Sequence, residues 1–378
     1  MVEPRASDGA DVKATKSAPD VSRRELLGAA PFALAVAAPR SLDSPSGDPG
    51  LDRREFTTWT ADGQSIFVRE VRPRRAARGP ILLLHGARVP GLASFDLPVP
   101  GGSLAEDLAR LTGRPVYVMD ARGYGRSGRP PALSENPTAN PPQARAFQVV
   151  RDVGAVVEAA KRRSGQPDVA LLGWATGGMW AAFYASLEPE NVRHLVTLNA
   201  LYGGSDKHPM LGPGSATSDP HDPDRLNPSI GAYTWYDAAS LFPGWDRSIP
   251  IADKSAWRDP HIAEAYAQAA LASDPQSAQS SPPRFRAPLG AIEDSFYQAC
   301  GRRLFDAGSI RARTLVLRSE LDFWSRPEDA AAFQRDAVHA ADLQSVVLAG
   351  ATHFAHLDRP PHGRDELLRR VAQHLATA

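Results

Sequence analysis

The segment Val169-Ala170-Leu171-Leu172-Gly173-Trp174-Ala175-Thr176-Gly177-Gly178 decides the fold. Its first four residues are a continuous apolar run, the pattern of a strand buried on both faces. From Gly177 to Leu187 the sequence reads as a helix, so strand passes into helix through a very short turn. Glycines at 173 and 177 allow that turn to be strained and the strand and helix to approach closely. The side chain between them, that of Ala175, is then held at the end of a sheet.

Working outward from this turn, strand and helix patterns alternate. Residues 55 to 71 alternate around Asp62-Gly63 and predict a β-hairpin. Ile81–Leu84 and Val116–Met119 are apolar strands, with a helix over 103–111 between them, Ser103 as its N-cap and Glu106 completing a capping box. A helix over 142–163 precedes the deciding segment, and a sixth strand, His194–Leu198, follows it. Such alternation predicts a mostly parallel sheet with right-handed crossovers. It stops near residue 200 and resumes with a strand at 314–317, a helix at 327–336, a strand at 345–348 and a helix at 365–376. The intervening 201–305 is too long for a loop. It is read as a cap inserted after the sixth strand, with a helix near 263–272 and apolar surface from Trp235, Tyr236, Trp245, Trp257, Tyr266, Phe296 and Tyr297. The core is then 55–200 and 306–378.

The 378 residues carry 43 basic and 43 acidic side chains, a net charge of zero that argues against nucleic-acid and anionic-membrane partners. Apolar residues, 42% of the chain, suffice for a large core. Cys300 is the single cysteine, so no intrachain disulfide is possible, and it is expected to be a buried small hydrophobe. No metal or nucleotide motif appears; Gly101-Gly102 lacks the spacing of a phosphate loop, and no cofactor is expected. Ser22-Arg23-Arg24-Glu25-Leu26-Leu27, followed by the apolar run 28–38 ending in Ala35-Val36-Ala37, resembles a twin-arginine signal. Residues 1–38 are therefore expected to direct export of the folded protein to the periplasm or beyond, with 39–54 as a linker. The run is too short for a membrane anchor.

Five motifs in chain order resemble those of the α/β-hydrolase superfamily, over residues 55–378. They are His85-Gly86, the stretch Asp120-Ala121-Arg122-Gly123-Tyr124-Gly125-Arg126-Ser127, the elbow Gly173–Gly177, Asp322 in Ser319-Glu320-Leu321-Asp322, and His353 in Gly350-Ala351-Thr352-His353-Phe354. The resemblance implies the α/β-hydrolase fold and a triad in the order nucleophile, acid, histidine. Ala175 then holds the nucleophile position, Asp322 the acid, with Glu320 as its rival, and His353 the base. The backbone amides of Ala87 and Thr176 would form the oxyanion hole. Asn199 stands where some family members carry the acid, but an amide cannot stabilise an imidazolium as a carboxylate does. His85, His356 and Asp120 are read as structural.

The elbow is present and its nucleophile is absent. The preferred reading is a serine-type carboxylic-ester hydrolase with alanine where serine is expected, which binds a small-molecule ester without turning it over. A His/Asp dyad enzyme of the same fold, a cofactor-free oxygenase or lyase, and a non-catalytic ligand-binding homologue stand as alternatives. Trp174 and Trp324 at the site favour a bulky apolar or aromatic ester. Arg88, beside the oxyanion donors, is read either as binding a substrate carbonyl or acid or as a loop salt bridge.

Overall fold

A computed structural model describes residues 50–76 and 78–377, so the signal-like 1–38 and residues 39–49 of the linker lie outside the described residues. The ten strands of the described residues are β1 (Leu51–Trp59), β2 (Ser65–Pro73), β3 (Ile81–Leu84), β4 (Val116–Met119), β5 (Val169–Trp174), β6 (Val192–Leu198), β7 (Tyr233–Asp237), β8 (Arg284–Pro288), β9 (Arg313–Leu321) and β10 (Asp342–Thr352). Eight of them form one sheet in the order β1-β2-β4-β3-β5-β6-β9-β10, while β7 and β8 pair separately. The sheet is antiparallel at β1–β2 and β2–β4 and parallel from β4 to β10. The alternation seen in the sequence thus produces the parallel α/β architecture expected from it.

The α-helices are α1 (Gly91–Phe95), α2 (Leu104–Thr112), α3 (Ala146–Ser164), α4 (Thr176–Leu187), α5 (Phe242–Ser248), α6 (Pro260–Ala272), α7 (Gly290–Ala299), α8 (Pro327–Asp336) and α9 (Asp365–Ala376). Successive strand residues point to opposite faces. Ile81 and Leu83 of β3 therefore belong to the apolar core shared with α2, α9, Trp245 and Tyr266, whereas Leu82 and Leu84 belong to the core on the other face, shared with α3 and α4. Both faces are dry, which is why these strands read as unbroken apolar runs.

Several details depart from the sequence reading. The first strand begins at Leu51, inside the stretch read as linker. Ser103 does cap α2, accepting from Glu106 N–H at 3.0 Å, but the capping box is not completed, because the Glu106 carboxylate pairs with Arg53 and Arg110 instead. The helix expected from residue 142 starts at Ala146, where Asp294 of α7 accepts from both Ala146 N–H and Arg145 Nε at 2.6 Å. A carboxylate at a helix N-terminus satisfies donors that the helix itself leaves open. Residues 290–299, read as cap, therefore brace a core helix, and Cys300 at its end is half-buried rather than buried.

Candidate active site

The turn after β5 is strained, and its neighbours explain why it persists. Ala175 has φ 52° and ψ −118°, a sparsely populated region that costs on the order of 1–3 kcal/mol. Its N–H donates to Leu198 O at 2.8 Å and its carbonyl accepts from Gly178 N–H at 3.0 Å. A Cβ on Gly173 would lie 2.1 Å from Gly177 O, and one on Gly177 would lie 2.1 Å from Leu84 O. Only glycine at both positions lets α4 descend onto the end of β3. That descent brings the loop after β3 against the elbow: a Cβ built on Gly86 would stand 3.6 Å from the Ala175 Cβ.

The peptide after Gly86 is oriented by His85. His85 Nδ1–H donates to Gly86 O at 2.7 Å and Nε2 accepts from Ala121 N–H at 3.1 Å, which requires a neutral ring. Complete burial supplies that neutrality by pushing its pKa down to about 4. In a trans peptide the C=O and the following N–H point in opposite directions. Holding Gly86 O toward His85 therefore turns Ala87 N–H away from it, while Tyr124 Oη donates to Ala87 O at 2.7 Å. Among the described residues neither Ala87 N–H nor Thr176 N–H has a hydrogen-bond acceptor. Asp120, with its pKa raised to about 6 by burial, accepts from Gly91 and Arg126 N–H and ties down the loop that follows. It is structural, as expected.

The base and acid are brought together by strand register. Leu348 pairs with Ser319 and Thr352 with Leu321, so β10 spends two extra residues in an irregularity that contains Gly350 at φ 64°. The residues just beyond the last pair, His353 and Asp322, consequently leave the sheet side by side, Nδ1 to Oδ1 at 2.6 Å. The Asp322 carboxylate is fully shielded from solvent and also accepts from Trp324 N–H at 3.0 Å, Ser325 N–H at 2.7 Å and the Ser325 hydroxyl. With Nδ1–H committed to Asp322, Nε2 carries the lone pair, and it has no partner among the described residues. Glu320 accepts instead from Gly350 N–H at 2.7 Å on the exposed side, which removes it as the rival of Asp322.

Trp174 and Asn199 hold this turn from below. Trp174 Nε1–H donates to His353 O at 2.9 Å and Asn199 Nδ2 to the same oxygen at 3.2 Å. Asn199 further exchanges bonds with Ser319, Nδ2 to Oγ at 3.0 Å and Oδ1 from N–H at 2.7 Å. Trp174, expected at the substrate, is thus buried among His353, Phe354 and His356, and its only polar atom is committed to scaffold. His356 is wholly buried between Trp174 and Phe95, and burial keeps it neutral. Trp324 is half-buried against His208, and its backbone serves Asp322. The ring nearest His353 in this segment is Phe323, at 4.8 Å between centroids.

One participant carried no sequence signal. Asp358, buried and with its pKa raised to about 7, accepts from Trp245 Nε1–H at 2.7 Å and from the Thr352 hydroxyl at 2.5 Å. Trp245 also stacks on Phe354 at 4.5 Å. Through these contacts α5 of the 201–305 segment is tied to the turn that carries His353. Arg88 makes no ion pair among the described residues, so the loop salt bridge does not form; its guanidinium lies over the Tyr236 ring at 5.0 Å. Among the described residues no group of three or more His, Cys, Asp or Glu side chains is placed to hold a metal, and no helix is long and apolar enough to cross a membrane.

Comparison with known proteins identifies the fold family. A family model described as alpha/beta hydrolase fold matches residues 79–360. A proline iminopeptidase of Lactiplantibacillus plantarum is 29% identical over 146 residues, 37% of this chain and 42% of that protein. A 1-acylglycerol-3-phosphate O-acyltransferase of Rattus norvegicus is 31% identical over 136 residues, 36% of this chain and 33% of that protein. The aligned part therefore spans less than half the length of either curated relative. A peroxisomal alpha-beta-hydrolase of Saccharomyces cerevisiae superposes with a TM-score of 0.53 at 13% identity, covering 87% of this chain and 89% of that one.

Proposed function

The chain belongs to the α/β-hydrolase family, and from that premise we propose that its site is that of a serine-type carboxylic-ester hydrolase in which Ala175 stands at the nucleophile position. One relationship carries this reading: the His353–Asp322 pair, with Nε2 unpaired, beside an elbow whose backbone keeps its strain without a hydroxyl to present. In this reading the amides of Ala87 and Thr176 polarise the ester carbonyl, and the N-terminal end of α4 adds its partial positive charge. His353 would take the proton of an attacking hydroxyl, and Asp322 would stabilise the imidazolium. The alanine methyl has no proton to give and no lone pair, so the chain binds the ester and forms no acyl-enzyme.

The half-buried ring of Phe323, 4.8 Å between centroids from His353, supports an apolar or aromatic ester. The two curated relatives bear the names of a peptidase and an O-acyltransferase, which supports acyl transfer as the reaction class. Residues 201–305 would roof the site, and residues 1–38 would direct export. The test is Ala175→Ser. Removal of a triad serine costs on the order of a millionfold in kcat, so the hydroxyl is expected to raise hydrolysis of p-nitrophenyl acetate, butyrate or benzoate by at least about a thousandfold. Unchanged rates with all three, in a folded variant, would reject the reading.

The unpaired Nε2 also favours a second reading, in which the dyad alone abstracts a proton from an acidic C–H substrate. Consumption of such a substrate by the unaltered chain, abolished by His353→Ala, would establish it. Tight ligand binding with no turnover after Ala175→Ser would instead mark a non-catalytic receptor.

A further inference from the structure

We propose that helix α5, from the 201–305 segment, is a clasp on the His353–Asp322 pair, with Trp245 as the residue that positions His353 and Gly244 as the one that positions the turn of Asp322. The proposal rests on the ester-hydrolase reading for the reaction it serves, and names what keeps that reading's base and acid in register.

Trp245 holds both chain neighbours of His353. On one side its Nε1–H donates to Asp358 Oδ1 at 2.7 Å, and Asp358 Oδ2 accepts from the hydroxyl of Thr352, the residue before His353, at 2.5 Å. On the other side its ring stacks on Phe354, the residue after His353, at 4.5 Å between centroids and 15° between planes. The Thr352 hydroxyl also accepts from Phe354 N–H at 3.0 Å, which closes the turn on itself. Trp245, Thr352 and Asp358 are wholly buried, so these bonds form where water does not compete for them.

Gly244 reaches the other half of the pair. A Cβ built on it would stand 3.0 Å from Cζ of Phe323, the residue after Asp322. Arg247, three residues further along α5, places its guanidinium over the same ring at 5.4 Å. That ring lies 4.8 Å from the His353 imidazole, between centroids. Glycine within a helix is disfavoured against alanine, and close packing on Phe323 is what its missing side chain permits here. One short helix therefore touches the residues that flank the base and the residue that follows the acid. The 2.6 Å bond between Nδ1 and Oδ1 depends on both turns being in register, and a misplacement of about 1 Å can cost on the order of a hundredfold in rate.

The test separates positioning from stability. In the Ala175→Ser protein, Trp245→Phe keeps a ring on Phe354 and removes the donor to Asp358; kcat for p-nitrophenyl butyrate should fall about tenfold or more with KM nearly constant. Asp358→Leu should lower kcat to a similar extent, and Asp358→Asn, which keeps an acceptor for the indole, should recover most of that loss. Gly244→Ala should lower kcat severalfold even though alanine favours the helix, whereas a purely structural role predicts no loss. The unaltered chain offers a readout free of turnover, the low-field proton resonance of His353 Nδ1–H, assigned by its disappearance in His353→Gln. Its exchange with water should quicken about tenfold in both Trp245→Phe and Gly244→Ala. Unchanged kcat and unchanged exchange in both folded variants would overturn the clasp. So would a rise in KM at constant kcat, which would put Trp245 against the substrate. If Ala175→Ser hydrolyses no ester while exchange still quickens in both variants, the clasp stands and the hydrolase reading falls.

Discussion

His353 and Asp322, 31 residues apart in the chain, meet at 2.6 Å between Nδ1 and Oδ1, with the carboxylate withdrawn from solvent. Three further donors saturate that carboxylate, so its position is set by the turn after β9 rather than by the histidine. In the Ala175→Ser protein, Asp322→Asn is expected to lower kcat about ten-thousandfold, since an amide favours the wrong imidazole tautomer. Glu320→Gln should leave kcat within about twofold. Steady-state ester hydrolysis distinguishes the two.

Trp174 separates scaffold from substrate contact. Trp174→Phe keeps the apolar ring and removes the donor to His353 O. The expected result is a loss of roughly 1–3 kcal/mol in stability, from a buried carbonyl left with one donor fewer. In the Ala175→Ser background kcat should fall with KM nearly constant. A rise in KM at constant kcat would place the indole on the substrate.

The contact of Gly177 with β3 predicts an asymmetry between two glycine substitutions. Gly177→Ala would drive a Cβ to 2.1 Å from Leu84 O, a backbone atom, and should destabilise the protein by about 3 kcal/mol or more. Gly154→Ala, inside α3 with its nearest contact at 3.4 Å to the Tyr184 ring, should be neutral or stabilising by up to about 1 kcal/mol. Urea denaturation followed by circular dichroism measures both.

Asp358 predicts a pH dependence. Burial raises its pKa from 3.8 to about 7, so the folded state holds a proton that the unfolded chain releases. The corresponding stability is fully present below the unfolded pKa and is lost as pH rises through the folded value. Asp358→Asn keeps an oxygen for Trp245 and removes the titration. Between pH 5 and pH 8 the variant should therefore lose roughly 1–3 kcal/mol less unfolding free energy than the parent. Parallel profiles would show that Asp358 titrates normally. Asp120, Asp152 and Asp294, each raised to about 6, contribute equally to both proteins.

Much of the site was legible because it is written at strand ends. Val169–Trp174 declares a buried strand by its apolar run, and the glycines that follow declare the close approach of α4. Asp322 and His353 stand just after β9 and β10 for the same reason. The roles of Trp174 and Asp358 were not legible. An indole beside an elbow reads the same whether it faces substrate or donates to a carbonyl 179 residues away. A carboxylate in a C-terminal turn gives no hint that an indole 113 residues earlier will bond to it.

By itself the amino-acid sequence determined the alternation of strand and helix outside residues 201–305, the parallel sheet and the turn at Ala175, because periodicity and glycine placement act through nearest neighbours and local sterics. Only the tertiary structure decided the register of β10, whose two extra residues align His353 with Asp322 rather than with solvent. It also decided that Asp294 would cap α3 and that Arg88 would lie on Tyr236 without a counter-ion. Those outcomes depend on packing between segments far apart in the chain, where burial and the pairing of charges select among contacts that local sequence leaves equivalent.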